Sequence, residues 1–174
     1  SVARGDSVLP LRDVVTVLAG GGDALQRLVV LELRLPRALT GALVGLALGL
    51  SGAITQSVTR NALASPDVLG VTAGAGAAAV AVIVLGGGTA GGAAAAVGLP
   101  VAALAGGLLT AAAVGLLSWD GGVDGQRFVL VGIGVAALGT ATAGWLLTRA
   151  ALPDATQAMA WLTGSLAGRG WVHV

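Results

Sequence analysis

Groups able to do chemistry are scarce in this chain. It has no cysteine, which excludes disulfides, thiolate metal sites and cysteine nucleophiles and leaves the redox compartment open. The single histidine, His173, stands near the end of the sequence with no second ligand at metal-binding spacing, and reads as an interfacial histidine. Glu32 and Asp154 have arginines nearby in sequence and suit ordinary ion pairing. Gly74-Ala75-Gly76-Ala77-Ala78-Ala79 has the outline of a dinucleotide fingerprint. No strand precedes it, however, and no acid follows at the spacing of about 20 residues that such a site needs. Small residues for close helix contact are the better reading. No nucleophile–base pair or metal-ligand set can be assembled, so neither catalysis, nor a metal, nor a cofactor is expected.

Arg34 and Arg37 are the informative charges. Both stand where an apolar helix begins, at the positive end of its dipole, which costs about 0.3–1 kcal/mol for each cation. Something must offset that cost. Two answers fit the residues equally: lipid phosphates reached by snorkelling, or an acidic patch on a docking protein.

The elements that would position these groups follow from where charge is missing. The 174 residues are 56% hydrophobic and 10% charged, against about 25% charged in soluble domains. No ionisable side chain other than histidine occurs in 38–59, 68–119 or 128–148. A helix needs about 20 apolar residues to cross a hydrocarbon core of about 30 Å, and the middle run is long enough for two crossings and a turn. The pattern predicts an all-α, polytopic transmembrane bundle with spans over about 36–60, 66–85, 93–117 and 127–149. A net charge of +1 gives no reason to expect nucleic acid. The sequence begins with Ser1, shows no signal peptide and ends without a polar tail, and so reads as a piece of a longer protein.

Local signals place the boundaries. Residues 1–34 carry eight charges and read as an extramembrane segment with a short amphipathic helix over about 10–18, ended by Gly20-Gly21-Gly22. Pro36 suits the first turn of the first span, with Leu35 pushed toward an extended conformation. Arg60 complements the negative end of that helix, and Asn61 can take the left-handed cap. Gly41, Gly45 and Gly49 recur every four residues and, with Ser51 and Gly52, form a groove for close helix approach. Ser65-Pro66-Asp67 starts the second span. Gly86–Gly92 reads as a tight turn at a membrane face, and 118–126 as a loop. After Pro153 the apolar steps of 4, 3 and 4 predict an interfacial helix over 154–166, with Trp145, Trp161 and Trp171 as an aromatic belt. Four spans put Arg34, Arg37 and the region after Arg149 on one side, which arginine counting would make cytoplasmic.

Several stretches in order resemble the FecCD/BtuC-like permeases. They are Leu33-Arg34-Leu35-Pro36-Arg37, Gly41-Ala42, Leu46-Ala47, Ser51-Gly52, Gln56, Arg60-Asn61-Ala62-Leu63-Ala64, Pro66 and Leu69-Gly70. The resemblance continues through Arg127-Phe128-Val129-Leu130-Val131-Gly132-Ile133 to Trp161-Leu162-Thr163-Gly164-Ser165-Leu166 and Trp171. Ala62 departs from it, because the family usually has proline there.

The resemblance implies the membrane subunit of an ABC importer for iron-siderophores, haem or vitamin B12 in the bacterial inner membrane. Such a subunit pairs with a second permease, as a homo- or heterodimer, and with two cytoplasmic ATPases. An extracytoplasmic binding protein delivers the ligand. These residues would be its second to fifth spans plus the short external helix. Arg34 and Arg37 would then face outward, opposite to the arginine count, and dock the binding protein. The fifth span lines the path in this family, making Gly132, Gly134, Ala137 and Thr140 candidate lining residues, with tight helix packing equally open for each. The loop before it resembles the cytoplasmic gate, at Gly125 and Gln126. A secondary transporter or channel with small-residue packing is the alternative, but no intramembrane acid supports it.

Overall fold

The computed structural model describes residues 10–62, 64–86, 93–119, 125–166, 168, 170, 171 and 174, with the side chains of 93–97 left aside. It is helical nearly throughout. His173, the acids of the 118–126 loop and all but the first residue of the Gly86–Gly92 turn lie outside the described residues. The helices are α1 (Leu11–Leu18), α2 (Ala24–Arg27), a π-helical segment (Leu28–Arg34), α3 (Leu35–Thr59), α4 (Val71–Leu85), α5 (Ala93–Ser118), α6 (Gly125–Arg149) and α7 (Leu152–Thr163). Two compact units form, Ser1–Leu50 with Ser165–Val174, and Ser51–Gly164.

In the first unit, Val14 and Val17 of α1 bury themselves against Val30 of the π-helical segment. That segment corrects the expectation at Pro36. Helix does not begin there, and Leu35 is not extended: its φ of −63° and ψ of −49° are helical, and helical structure runs unbroken over Ala24–Thr59. Proline inside an α-helix lacks a donor and presses on the carbonyl four residues back. The chain widens ahead of it instead, and the Leu35 N–H reaches five residues back to the Val30 carbonyl. α3 beyond this point is apolar on every side and largely exposed, with Leu46, Leu48 and Leu50 each about two-thirds accessible, as suits a helix surrounded by lipid or other helices rather than water.

The end of α3 corrects a second expectation. The left-handed residue is Arg60, with φ of +49°, rather than Asn61. The Arg60 N–H donates to the Ser57 carbonyl at 3.3 Å and the Asn61 N–H to the Gln56 carbonyl at 3.2 Å. This is the Schellman pair, set one residue earlier than the asparagine suggests.

The second unit is built around α4. Its sequence is apolar all round, and Gly76, Ala79, Val80 and Ile83 are buried. Ala79, Val80 and Ile83 form the core with Leu99, Leu146 and Ala158, drawn from α4, α5, α6 and α7. The helix starts five residues later than expected. Ser65–Gly70 make successive tight turns, with Val68 to Ser65, Leu69 to Pro66 and Gly70 to Asp67 bonded at 3.0–3.2 Å. Gly70 then takes φ of +76°, which a helix cannot incorporate, and an added Cβ would sit 2.7 Å from the Ala136 nitrogen.

Fifteen residues make α4 about 22 Å long, short of a bilayer core. Among the described residues three helices are long and apolar enough to cross a membrane: Ala24–Thr59, Gly98–Ser118 and Gly125–Arg149. The helix after Pro153 begins at Leu152 and stops at Thr163, because Gly164 turns out at φ of +71°. Hydroxyls inside the long helices bond back to carbonyls of the preceding turn, Thr59 to Thr55 at 2.7 Å and Thr110 to Gly106 at 2.8 Å. Among the described residues no buried side-chain nitrogen or oxygen lacks a partner, which is what a hydrocarbon surrounding demands.

Candidate functional site

Three places bear on the residues singled out above. The first is the junction at the start of α3. Arg34 is half-buried and Arg37 exposed, on either side of buried Pro36. The segment after residue 164 braces the junction. The Trp171 indole Nε1 donates to the Leu31 carbonyl at 3.0 Å. Leu166 Cδ1 lies 3.3 Å from where a Cβ on Gly41 would stand. The Thr40 hydroxyl donates to the Pro36 carbonyl at 2.8 Å. Sequence reasoning singled out the arginines but not the contacts around them; the signal available was Pro36 itself, a proline that cannot sit in an undistorted helix.

The second is a cleft of about 280 Å³ lined by Thr59, Asn61, Gly125, Gln126, Val129 and Leu130. α6 starts so close to the end of α3 that a Cβ on Gly125 would be 2.7 Å from the Thr59 carbonyl oxygen and 3.2 Å from its carbon. Thr59 is buried, with its hydroxyl turned to the Thr55 carbonyl. The lining holds two amides, a hydroxyl and aliphatic groups but no titratable side chain, so it can close, open or hydrogen-bond but cannot transfer protons. Gly125 and Gln126 were the residues expected here. Thr59 and Asn61 were missed, since nothing local in the sequence ties them to the start of α6.

The third is the free face of α6. Gly134 meets nothing within 4 Å, and Ala137 and Thr140 are exposed, the threonine bonding its own helix at Ala136. Gly132 differs: it is buried, and a Cβ there would be 2.8 Å from the Leu69 Cα.

Close packing through small residues occurs, at positions that the four-residue stripe does not predict. On α3, Gly41 meets Leu166, while Gly45, Gly49 and Gly52 have nothing within 4 Å, and Ser51 is half-buried. The tight crossing lies between α4 and α5, where a Cβ on Gly106 would be 2.6 Å from the Gly74 carbonyl, and between α4 and α6, where Gly139 approaches Ala73 at 3.1 Å. The Gly74 segment is therefore a helix-contact surface. Among the described residues no three His, Asp or Glu side chains gather as metal ligands.

Comparison with known proteins gives a consistent result. The chain is 47% identical over 144 residues to the achromobactin transport system permease protein CbrC of Dickeya dadantii, covering 83% of this chain and 40% of that one. It is 41% identical over 167 residues to the ferric enterobactin transport system permease protein FepG of Escherichia coli, covering 96% and 49%. The vitamin B12 import system permease protein BtuC of Pectobacterium atrosepticum is 36% identical over 152 residues, covering 87% and 44%. A solved structure described as an inward-facing metal-chelate type ABC transporter superposes with a TM-score of 0.74 at 29% identity, over 93% of this chain and 53% of that one. The chain thus spans about half the length of the curated relatives it matches. The family model for FecCD transport matches residues 1–174 from end to end, and the chain belongs to the FecCD transport family.

Proposed function

We propose that this chain is part of the membrane-spanning permease subunit of an ATP-driven importer, carrying an iron-siderophore or related metal chelate into the cell. The observation that carries the reading is the end-to-end family match, on a chain whose long helices among the described residues each include an uncharged run, 38–59, 98–118 and 128–148. Siderophore permeases stand among its relatives at 41–47% identity, and this favours a siderophore over vitamin B12 as cargo.

In this reading the chain does no bond chemistry. A second permease subunit completes the passage, and two cytoplasmic ATPases drive it between outward- and inward-facing states by rigid-body movement. A binding protein outside the bacterial inner membrane docks at Arg34 and Arg37 and delivers the cargo to the permease. In this reading Arg34 and Arg37 form the docking face and the Thr59–Gly125 cleft the inner gate. Gln126, Asn61 and the aliphatic pair Val129 and Leu130 give that gate bulk without charge. Gly134, Ala137 and Thr140 leave a wide, weakly polar wall, which suits a bulky chelate that must not be held. Gly132 serves packing against Leu69 instead.

The test is uptake of a ferric siderophore by proteoliposomes holding the full-length permease complex, with and without substitution of the phosphate-binding lysine of the ATPase. Uptake is expected to stop. Uptake at an undiminished rate would overturn the importer reading and favour a secondary transporter or channel.

A further inference from the structure

We infer that Trp171 is a positioning residue: its indole N–H stands in for the N–H that Pro36 lacks, and so holds the junction that carries Arg34 and Arg37. The proposal rests on the docking role given above to those arginines.

The hydrogen-bond ladder singles out one carbonyl. Through the π-helical segment each N–H reaches five residues back, and the last such donor is Leu35, bonded to Val30. The next donor in that register would be residue 36, and its acceptor would be Leu31. Residue 36 is proline, so the Leu31 carbonyl has no main-chain donor to receive. It is this carbonyl that the Trp171 indole nitrogen meets, at 3.0 Å, across 140 residues of sequence.

A second contact reaches the same helix three turns on from the same carbonyl, where Leu166 fills the space over Gly41. Trp171 and Leu166 therefore supply one polar and one apolar tie, flanking the two arginines. An indole has a single donor and a flat apolar body, and Trp171, 46% exposed, uses both at the edge of the bundle. Without the donor, the Leu31 carbonyl would have to find water or shift the helix register. In either case the spacing of Arg34 and Arg37 against an acidic partner would loosen while their charge stayed.

The experiment uses the full-length permease complex and its binding protein, in nanodiscs, with Trp171→Phe, Pro36→Ala, the double variant and Arg34→Glu/Arg37→Glu. Trp171→Phe keeps the aromatic body and loses the donor. It is expected to weaken binding-protein affinity about fivefold to tenfold, with the salt dependence unchanged, because a lone carbonyl is left unpaired. Pro36→Ala restores a main-chain donor, so the double variant is expected to bind within about twofold of Pro36→Ala alone, and to regain thermal stability or yield lost in Trp171→Phe.

Equal affinity of Trp171→Phe and wild type would overturn the inference. So would a loss that Pro36→Ala fails to restore, which is what a simple interfacial anchor or a general folding defect gives. The arginine reversals separate the two levels: if they weaken docking, most at low salt, while Trp171→Phe does not, only the role of Trp171 falls. If they leave docking unchanged, the docking face falls and the positioning role with it.

Discussion

Gly125→Ala is the most direct probe of the cleft. The added methyl would lie 2.7, 3.2 and 3.3 Å from the Thr59 carbonyl oxygen, carbon and Cα. All three are backbone atoms at the end of a helix, and none can rotate aside. Ordinary contact begins near 3.4 Å, so the first turn of α6 must retreat by about 0.7 Å. Overpacking of that size costs about 1–3 kcal/mol. Alanine repays at most about 1 kcal/mol through helix propensity, and less at the first residue of a helix. The net loss is about 1–2 kcal/mol, a factor of about 5–30 in the folded ratio. The assay is the thermal midpoint of the detergent-solubilised full-length permease, with siderophore uptake measured in parallel. Gly144→Ala is the matched control: it lies on the same helix with nothing within 4 Å. The midpoint is expected to fall for Gly125→Ala and to hold or rise for Gly144→Ala. A Gly125→Ala midpoint equal to that of the control would refute the close approach of α6 to Thr59.

Two further outcomes follow from the same geometry. Gly106→Leu drives a side chain onto the Gly74 carbonyl, 2.6 Å from its Cβ position, and is expected to cost about 3 kcal/mol or prevent assembly, whereas Gly115→Leu, with open space around it, does neither; yield and thermal midpoint in detergent decide. At Arg60, φ of +49° tolerates asparagine but not a branched Cβ. Arg60→Asn is expected to stay within about 0.5 kcal/mol of wild type and Arg60→Val to lose about 1–2 kcal/mol, read from the same melts.

Much of this fold could be read in advance because exclusion of charge is a strong, one-dimensional signal. Among the described residues each uncharged run holds one or two helices, and α5 and α6 end within two residues of the expected positions. The errors share a cause. Leu35 and Asn61 were assigned from preferences of single residues, and in both places hydrogen bonding across a whole turn decided otherwise: a π-helical register ahead of Pro36, and a Schellman pair that closes on Arg60. Gly41, Gly45 and Gly49 have the right spacing for a helix partner, yet spacing does not say which helix comes. The crossings actually formed use Gly74, Gly106 and Gly139. The resemblance singled out Gly125 and Gln126 as gate residues, while Thr59 and Asn61 line the same cleft only through the folded path of the chain.

The brevity of α4 bears on how such a protein is made. A rod of about 22 Å leaves some 7–8 Å of a typical bilayer unspanned, a mismatch charged at fractions of a kcal/mol for each ångström. Alone in lipid it has little to hold it upright. Its glycine-faced flank meets α5, the next helix to leave the ribosome, so the neighbour that holds it arrives only after its own synthesis is complete.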